Sequence, residues 1–145
     1  MAEDPKIFDL DQVAVSFLGT DISQGYGEGA AIKIEKVTPT TKWKEGADGS
    51  AARSKTGSKL YKVTLTYLST SGANAVLSAI AQLDEDNPNG AGVGPLLVAD
   101  LQGATLFASP QSGIETIPPL DLNQEASNVE WVIYAANGSA FWGGN

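Results

Sequence analysis

The chain contains no cysteine and no histidine. The first absence excludes a disulfide scaffold, thiolate metal sites and a thiol nucleophile. The second removes the commonest general base and metal ligand. Basic residues stop early: all nine, Lys6, Lys33, Lys36, Lys42, Lys44, Arg53, Lys55, Lys59 and Lys62, lie at or before position 62. Nine acidic side chains balance them there, and the remainder carries eight carboxylates with nothing to offset them, which leaves a net charge of −8. Such a split suits a directional assembly or a surface that repels polyanions, beside the plainer role of solvating an acidic face. No apolar run approaches the length that spans a bilayer. The Met-Ala-Glu-Asp-Pro-Lys start lacks the basic and apolar regions of a signal peptide. The expectation is a soluble chain made inside a cell, with no membrane insertion.

What is present points to β-structure. The 145 residues suffice for a single domain, 1–145, with a real core. Sixteen glycines and seven prolines, with many Ser, Thr, Asn and Asp, imply frequent turns. Val13, Val15 and Phe17 alternate with Ala14 and Ser16, and Tyr61, Val63, Leu65 and Tyr67 alternate with Lys62, Thr64 and Thr66. Further strands are expected at Ile32–Lys36, Thr40–Lys44, Leu96–Ala99, Ala104–Ala108 and Val129–Ala135, with a Gly-rich hairpin turn at 25–29. One helix is predicted over about 72–84, capped from Ser69-Thr-Ser71, with Ala73, Val76, Leu77, Ile80 and Leu83 as its apolar stripe. Residues 46–59 read as an extended polar loop without apolar period, and 137–145 as a Gly-rich tail. The fold class is therefore mainly β: an antiparallel β-sandwich or β-barrel of about seven or eight strands with one flanking α-helix.

Motifs that would carry catalysis do not survive inspection. Lys55-Thr-Gly57 lacks the Ser-x-x-Lys and Ser-Asp-Asn partners of the penicillin-binding set. Gly25, Gly27 and Ala30 precede strand spacing at Ile32–Lys36, whereas a dinucleotide fingerprint must open a helix. Asp84, Asp86 and Asn89-Gly90 suggest a calcium loop, but Pro88 and Pro95 occupy ligand positions. Asn137-Gly-Ser139 has no secretory context to make it a glycosylation acceptor. No catalytic residue, cofactor or metal site is expected. The basic stretch from Lys42 to Lys62 has little aromatic interleaving, so a salt-bridging interface, with Asp48, Arg53, Lys55 and Lys59, suits it better than phosphate binding. Phe141 and Trp142 in a Gly-rich tail read as anchors on a partner.

Several segments in order resemble the small tail tube proteins of contractile-tailed bacteriophages. They are Gly46-Ala-Asp-Gly49 with Ala52-Arg-Ser54, Val63–Ser71 running into Ala73–Ala79, Pro95–Gly103, Thr105–Ala108 and Asn128–Trp131. The resemblance spans roughly 5–135 and implies a structural virion protein rather than an enzyme. It implies hexameric rings that stack into a hollow tube for genome ejection, in a virion tail whose subunits are made in the host cytoplasm. Its partners would be further copies of itself, tail sheath, and baseplate or tail-terminator proteins, with double-stranded DNA passing through unbound. Loop 46–59 and the termini would contact the next ring. An anionic wall would remove electrostatic traps for DNA, and at a Debye length of about 8 Å only lumen-lining charges act strongly. The candidates for that wall are Asp21, Glu28, Glu115, Asp121 and Glu125, with Asp84–Asp86 on a helix expected outside. Alternatives are the tube of a related contractile injection system, a monomeric β-barrel binding a small ligand in an apolar pocket, and, more remotely, a hydrolase using Asp100 and Glu130.

Overall fold

Alternating burial along the longer strands builds one side of a sheet. The computed structural model describes residues 10–23, 25–27, 31–87, 92–122 and 124–143. A short 3₁₀ turn, Leu10–Gln12, leads into β1 (Val13–Phe17), followed by β2 (Thr20–Asp21), β3 (Ile32–Lys36), β4 (Thr41–Glu45) and β5 (Ala51–Lys55). Then come β6 (Tyr61–Leu68), α1 (Ala73–Asp86), β7 (Gly94–Asp100), β8 (Leu106–Ile114), β9 (Asn128–Ala136) and β10 (Ser139–Phe141). An eight-stranded antiparallel sheet runs β2-β1-β7-β8-β9-β6-β3, with β10 beside β8, while β4 and β5 form a separate pair. The expected mainly β architecture with a single helix is what forms. Among the described residues the sheet is open, ending at β2 and β3, so it is not a closed barrel.

The predicted inward faces are the buried ones. Val13, Val15, Phe17, Val63, Leu65, Tyr67, Leu96, Val98, Phe107, Val129, Trp131 and Ile133 share one core with Leu77 of the helix. Strands β1 and β6 lie far apart along the sheet yet meet in that core, so the sheet curls over its apolar face. Tyr67 marks where its two ends approach. Its hydroxyl on β6 donates to the Ile22 carbonyl just beyond β2 at 2.6 Å. Its ring stacks on Tyr26 at 5.5 Å between centroids. Burial pushes both phenols well above their ordinary pKa, with the nearby Asp21 charge adding to the effect.

Of the hairpin turn expected at 25–29, residues 28 and 29 lie outside the described residues, and 25–27 run along β6 instead of turning. The Leu68 N–H donates to the Gly25 carbonyl and the Gly27 N–H to the Thr66 carbonyl, both at 2.9 Å. Gly25 has φ +70°, and a Cβ there would sit 2.5 Å from the Ser71 hydroxyl, so glycine is required on both counts. The tail also differs from expectation: Ser139–Phe141 extends the sheet along β8 after Asn137 turns the chain at φ 55°. Strand β8 tolerates Pro110 because neighbouring hydroxyls replace missing ladder donors. Ser109 donates to the Ala136 carbonyl at 2.6 Å, and Ser112 to the Gly94 carbonyl at 2.7 Å, where the β7–β8 register shifts.

The helix covers the core with Ala73, Leu77 and Ala81, and Val76 and Ile80 pack beside them. Leu83, placed in the stripe by spacing, is half exposed, because Ala81 sits closer to the sheet. Gly72 is the N-cap, and the Ser71 hydroxyl accepts the Ala73 N–H at 3.2 Å. Asp84, Glu85 and Asp86 fall inside the last turn, with no basic residue there. The helix tolerates that dipole cost, about 0.3–1 kcal/mol for each exposed charge, and Asp84 uses its carboxylate to accept the Gly92 N–H at 3.2 Å. Tyr67→Phe leaves the buried Ile22 carbonyl without its donor. It should lower stability by about 1–3 kcal/mol in urea unfolding with an unchanged m-value.

Candidate functional site

The region expected to be a polar loop is a hairpin arm. Strands β4 and β5 pair in register from Thr41↔Lys55 to Glu45↔Ala51, which corrects the reading of 46–59 as loop throughout. Its sequence hid the strand because both faces are wet: nine of its ten strand residues are exposed. No inward side exists to impose an apolar alternation. Asp48 makes the turn: its carboxylate accepts the Ser50 N–H at 3.1 Å, which holds its pKa below the usual range, while Gly49 takes φ +87°. At the base, Thr56 returns to the preceding strand, donating from its hydroxyl to the Pro39 carbonyl at 2.6 Å and from its N–H to the Thr40 carbonyl at 2.7 Å. Beyond that base neither strand packs extensively on the body.

The arm's exposed groups are distinctive. Trp43 lies 68% exposed, opposite Arg53, whose guanidinium sits 5.7 Å from the indole centre. Lys42, Lys44, Arg53 and Lys55 outnumber Glu45 and Asp48, so the arm is net positive. Of the expected contact residues, the structure brings Asp48, Arg53 and Lys55 together here. Lys59 stays on the body, where its carbonyl accepts the Gly138 N–H at 3.0 Å. Phe141 and Trp142 are 63% and 57% exposed on the β10 side. In register, Phe141 lies opposite Leu106, which lies opposite Ala99, and Leu97 is exposed on the same outer face. Leu97, Leu106 and Phe141 thus form an exposed apolar patch on the outer face of the sheet.

The expected acidic set divides. Glu28 lies outside the described residues. Asp21 is exposed on β2 at the sheet's edge, its pKa lowered by hydrogen bonds from the Ser23 hydroxyl and N–H. Glu115, Asp121 and Glu125 all lie on the connection between β8 and β9, here the strap, described over residues 115–122 and 124–127. Prolines 118 and 119 keep the strap out of the sheet. Its ends are tied down: Glu115 N–H donates to the Val132 carbonyl at 3.0 Å, and Ser69 N–H to the Ser127 carbonyl at 2.7 Å. Between them Ile117, Leu120 and Leu122 are exposed. Beneath the strap is a cleft of about 160 Å³, lined by Asn74 and Ser78 of α1 and by Ile117, Pro118, Leu120 and Trp131. The Trp131 indole donates to Asn74 Oδ1 at 3.0 Å and fixes that side. Sequence reasoning passed over Trp43 and this cleft; large apolar residues around a Pro-Pro break, in a segment with no strand to join, were the available signal.

No arrangement for catalysis emerges from the named groups. Asp100 accepts the Gln102 N–H at 3.0 Å in a turn, and Glu130 is exposed on β9. Among the described residues, no group of three His, Cys, Asp or Glu side chains is placed to hold a metal, and no helix is long and apolar enough to cross a membrane.

Comparison with known proteins gives this architecture its context. The fold is similar to the tube-terminating cap of the anti-feeding prophage, at TM-score 0.59 and 11% identity over 97% of this chain and 93% of that one. It is equally similar to a sheath/tube terminator of an extracellular contractile injection system, at TM-score 0.59 and 11% identity over 97% of this chain and 99% of that one. In sequence it is 26% identical to Structural protein ORF10 of Pseudomonas phage KPP10 over 121 residues, 83% of this chain and 70% of that protein. In fold the chain is thus similar to terminator subunits of contractile particles, and in sequence to a phage structural protein. The chain belongs to the bacteriophage PhiTE tail tube protein family, which matches residues 8–143. Because Trp43 touches little of its own subunit, Trp43→Ala should change monomer unfolding free energy by less than about 0.5 kcal/mol in urea titration.

Proposed function

We propose that the chain is a non-enzymatic subunit of a hollow phage tail tube. Copies close into hexameric rings, and the rings stack into the channel through which the genome leaves the virion. The observation that carries this reading is the β4–β5 arm, a hairpin solvated on both faces. A two-stranded hairpin alone is marginal in water, so an arm of this kind gains its stability by meeting another surface. The open sheet supports the same reading. Among the described residues the edges at β2 and β3 have no further strand beside them, and a neighbouring subunit continues the sheet there. The apolar outer patch with Leu97, Leu106 and Phe141 suits lateral contact within a ring.

The charge balance fits a conduit for DNA. Nothing basic follows Lys62, and the −8 on each copy multiplies around a ring. Asp21, exposed and held ionised by Ser23, is our candidate for the channel wall. Sheath, baseplate and terminator proteins are the expected partners, and the virion tail the expected location.

Both structural neighbours are terminators, which makes a single capping ring the second reading. Negative-stain microscopy of the purified chain separates the two. Long hollow tubes support the tube subunit, isolated rings that never elongate support the terminator, and a strictly monomeric species at high concentration overturns both. Replacing residues 42–54 by a short glycine turn should leave a single cooperative unfolding transition and rings intact while abolishing tubes.

A further inference from the structure

We infer that the arm of one copy docks on the strap of the next, with Trp43 entering the cleft between α1 and residues 117–120. This rests on the reading that copies stack through the arm, and it names the acceptor. Three observations converge. The first is position. The arm extends from the connection between β3 and β6, whose paired ends are Lys36 and Tyr61. The cleft lies by Ser69 and Val129, at the Leu68 end of β6. Donor and acceptor therefore sit at opposite ends of an eight-residue strand, roughly 25 Å apart at strand rise. Two different surfaces at opposite ends give a head-to-tail contact, which propagates along an axis instead of closing a dimer.

The second observation is charge. The arm is net positive through Lys42, Lys44, Arg53 and Lys55, and the strap carries Glu115, Asp121 and Glu125. No lysine or arginine follows position 62, so the strap itself carries no cation to oppose the arm. The third is shape and polarity. Trp43 is 68% exposed, and the cleft of about 160 Å³ is bordered by Ile117, Pro118, Leu120 and Trp131, with Ser78 offering a hydroxyl to an indole N–H. A buried tryptophan flanked by arginine, seated in a pocket and rimmed by opposite charge, is the usual composition of an interface hot spot. The docking assigns Glu115, Asp121 and Glu125 to a contact between copies, not to the channel wall.

The absence of cysteine makes the test specific. In assembled tubes of the double variant Trp43→Cys/Leu120→Cys, mild oxidation should give a ladder of disulfide-linked oligomers on a non-reducing gel, since every copy is donor and acceptor. Either single variant places its lone thiol opposite a residue without one and should run as monomer. Independently, Arg53→Glu should raise the concentration needed for tube growth by at least about ten-fold, and combining it with Asp121→Arg should recover most of that loss. Tubes that assemble without a ladder, together with no recovery from the charge swap, overturn the docking while leaving the tube reading intact. If the unsubstituted chain forms no tubes, the tube reading fails and the docking fails with it.

Discussion

The apolar face of the sheet has one helix to cover it, and that shortage shapes the subunit. An eight-stranded sheet with buried side chains on one face exposes far more apolar surface than Ala73, Leu77 and Ala81 can reach. The remaining solution is for the sheet to cover itself. Strands β1 and β6 meet in one core, and the approach is sealed by the Tyr67 hydroxyl on the Ile22 carbonyl and by Tyr26 stacked on Tyr67. Each large side chain fully buried this way contributes about 1.5–3 kcal/mol, which makes curling worth the lost freedom of the strands. A buried tyrosine keeps this closure only if its hydroxyl is satisfied, and the Ile22 carbonyl supplies the partner.

Once the sheet has curled over its core, the elements left outside contribute little to it. The β4–β5 arm, the strap and the β10 side present Trp43, Leu120, Leu122, Phe141 and Trp142 to water. Single exposed apolar residues are common, but these lie on segments held in place by backbone bonds at Thr56, Ser69 and Gly138. Ordering them in advance lowers the entropic cost of later association. Folding and assembly thus draw on different residues, so that surface changes can alter one without the other.

The charge division along the chain becomes a division in space. The basic residues from Lys33 to Lys62 occupy β3, the arm, the connection that follows it and β6, which are consecutive in sequence. The acidic strap is reached only after the chain has crossed the sheet through β7 and β8. Asp84, Glu85 and Asp86 remain in the last turn of α1 at modest cost, because Glu85 and Asp86 are exposed and water screens them.

Residue spacing alone determined the parts whose burial is one-sided. The alternations through β1, β6 and β9, the helical stripe of α1 and the strand-breaking prolines 118 and 119 were all legible, because a half-buried element leaves a period in its sequence. The absence of cysteine, histidine and late basic residues likewise bounded the chemistry before any fold was known. The tertiary structure decided what has no period. Ala51–Lys55 is a strand wet on both faces, residues 25–27 pair with β6 through backbone groups, and Ser139–Phe141 joins β8 after a single left-handed residue. The cleft under the strap combines α1, the strap and β9, which lie far apart in sequence. Pairing across such distances is set by how the whole sheet curls, and no local pattern encodes that curvature.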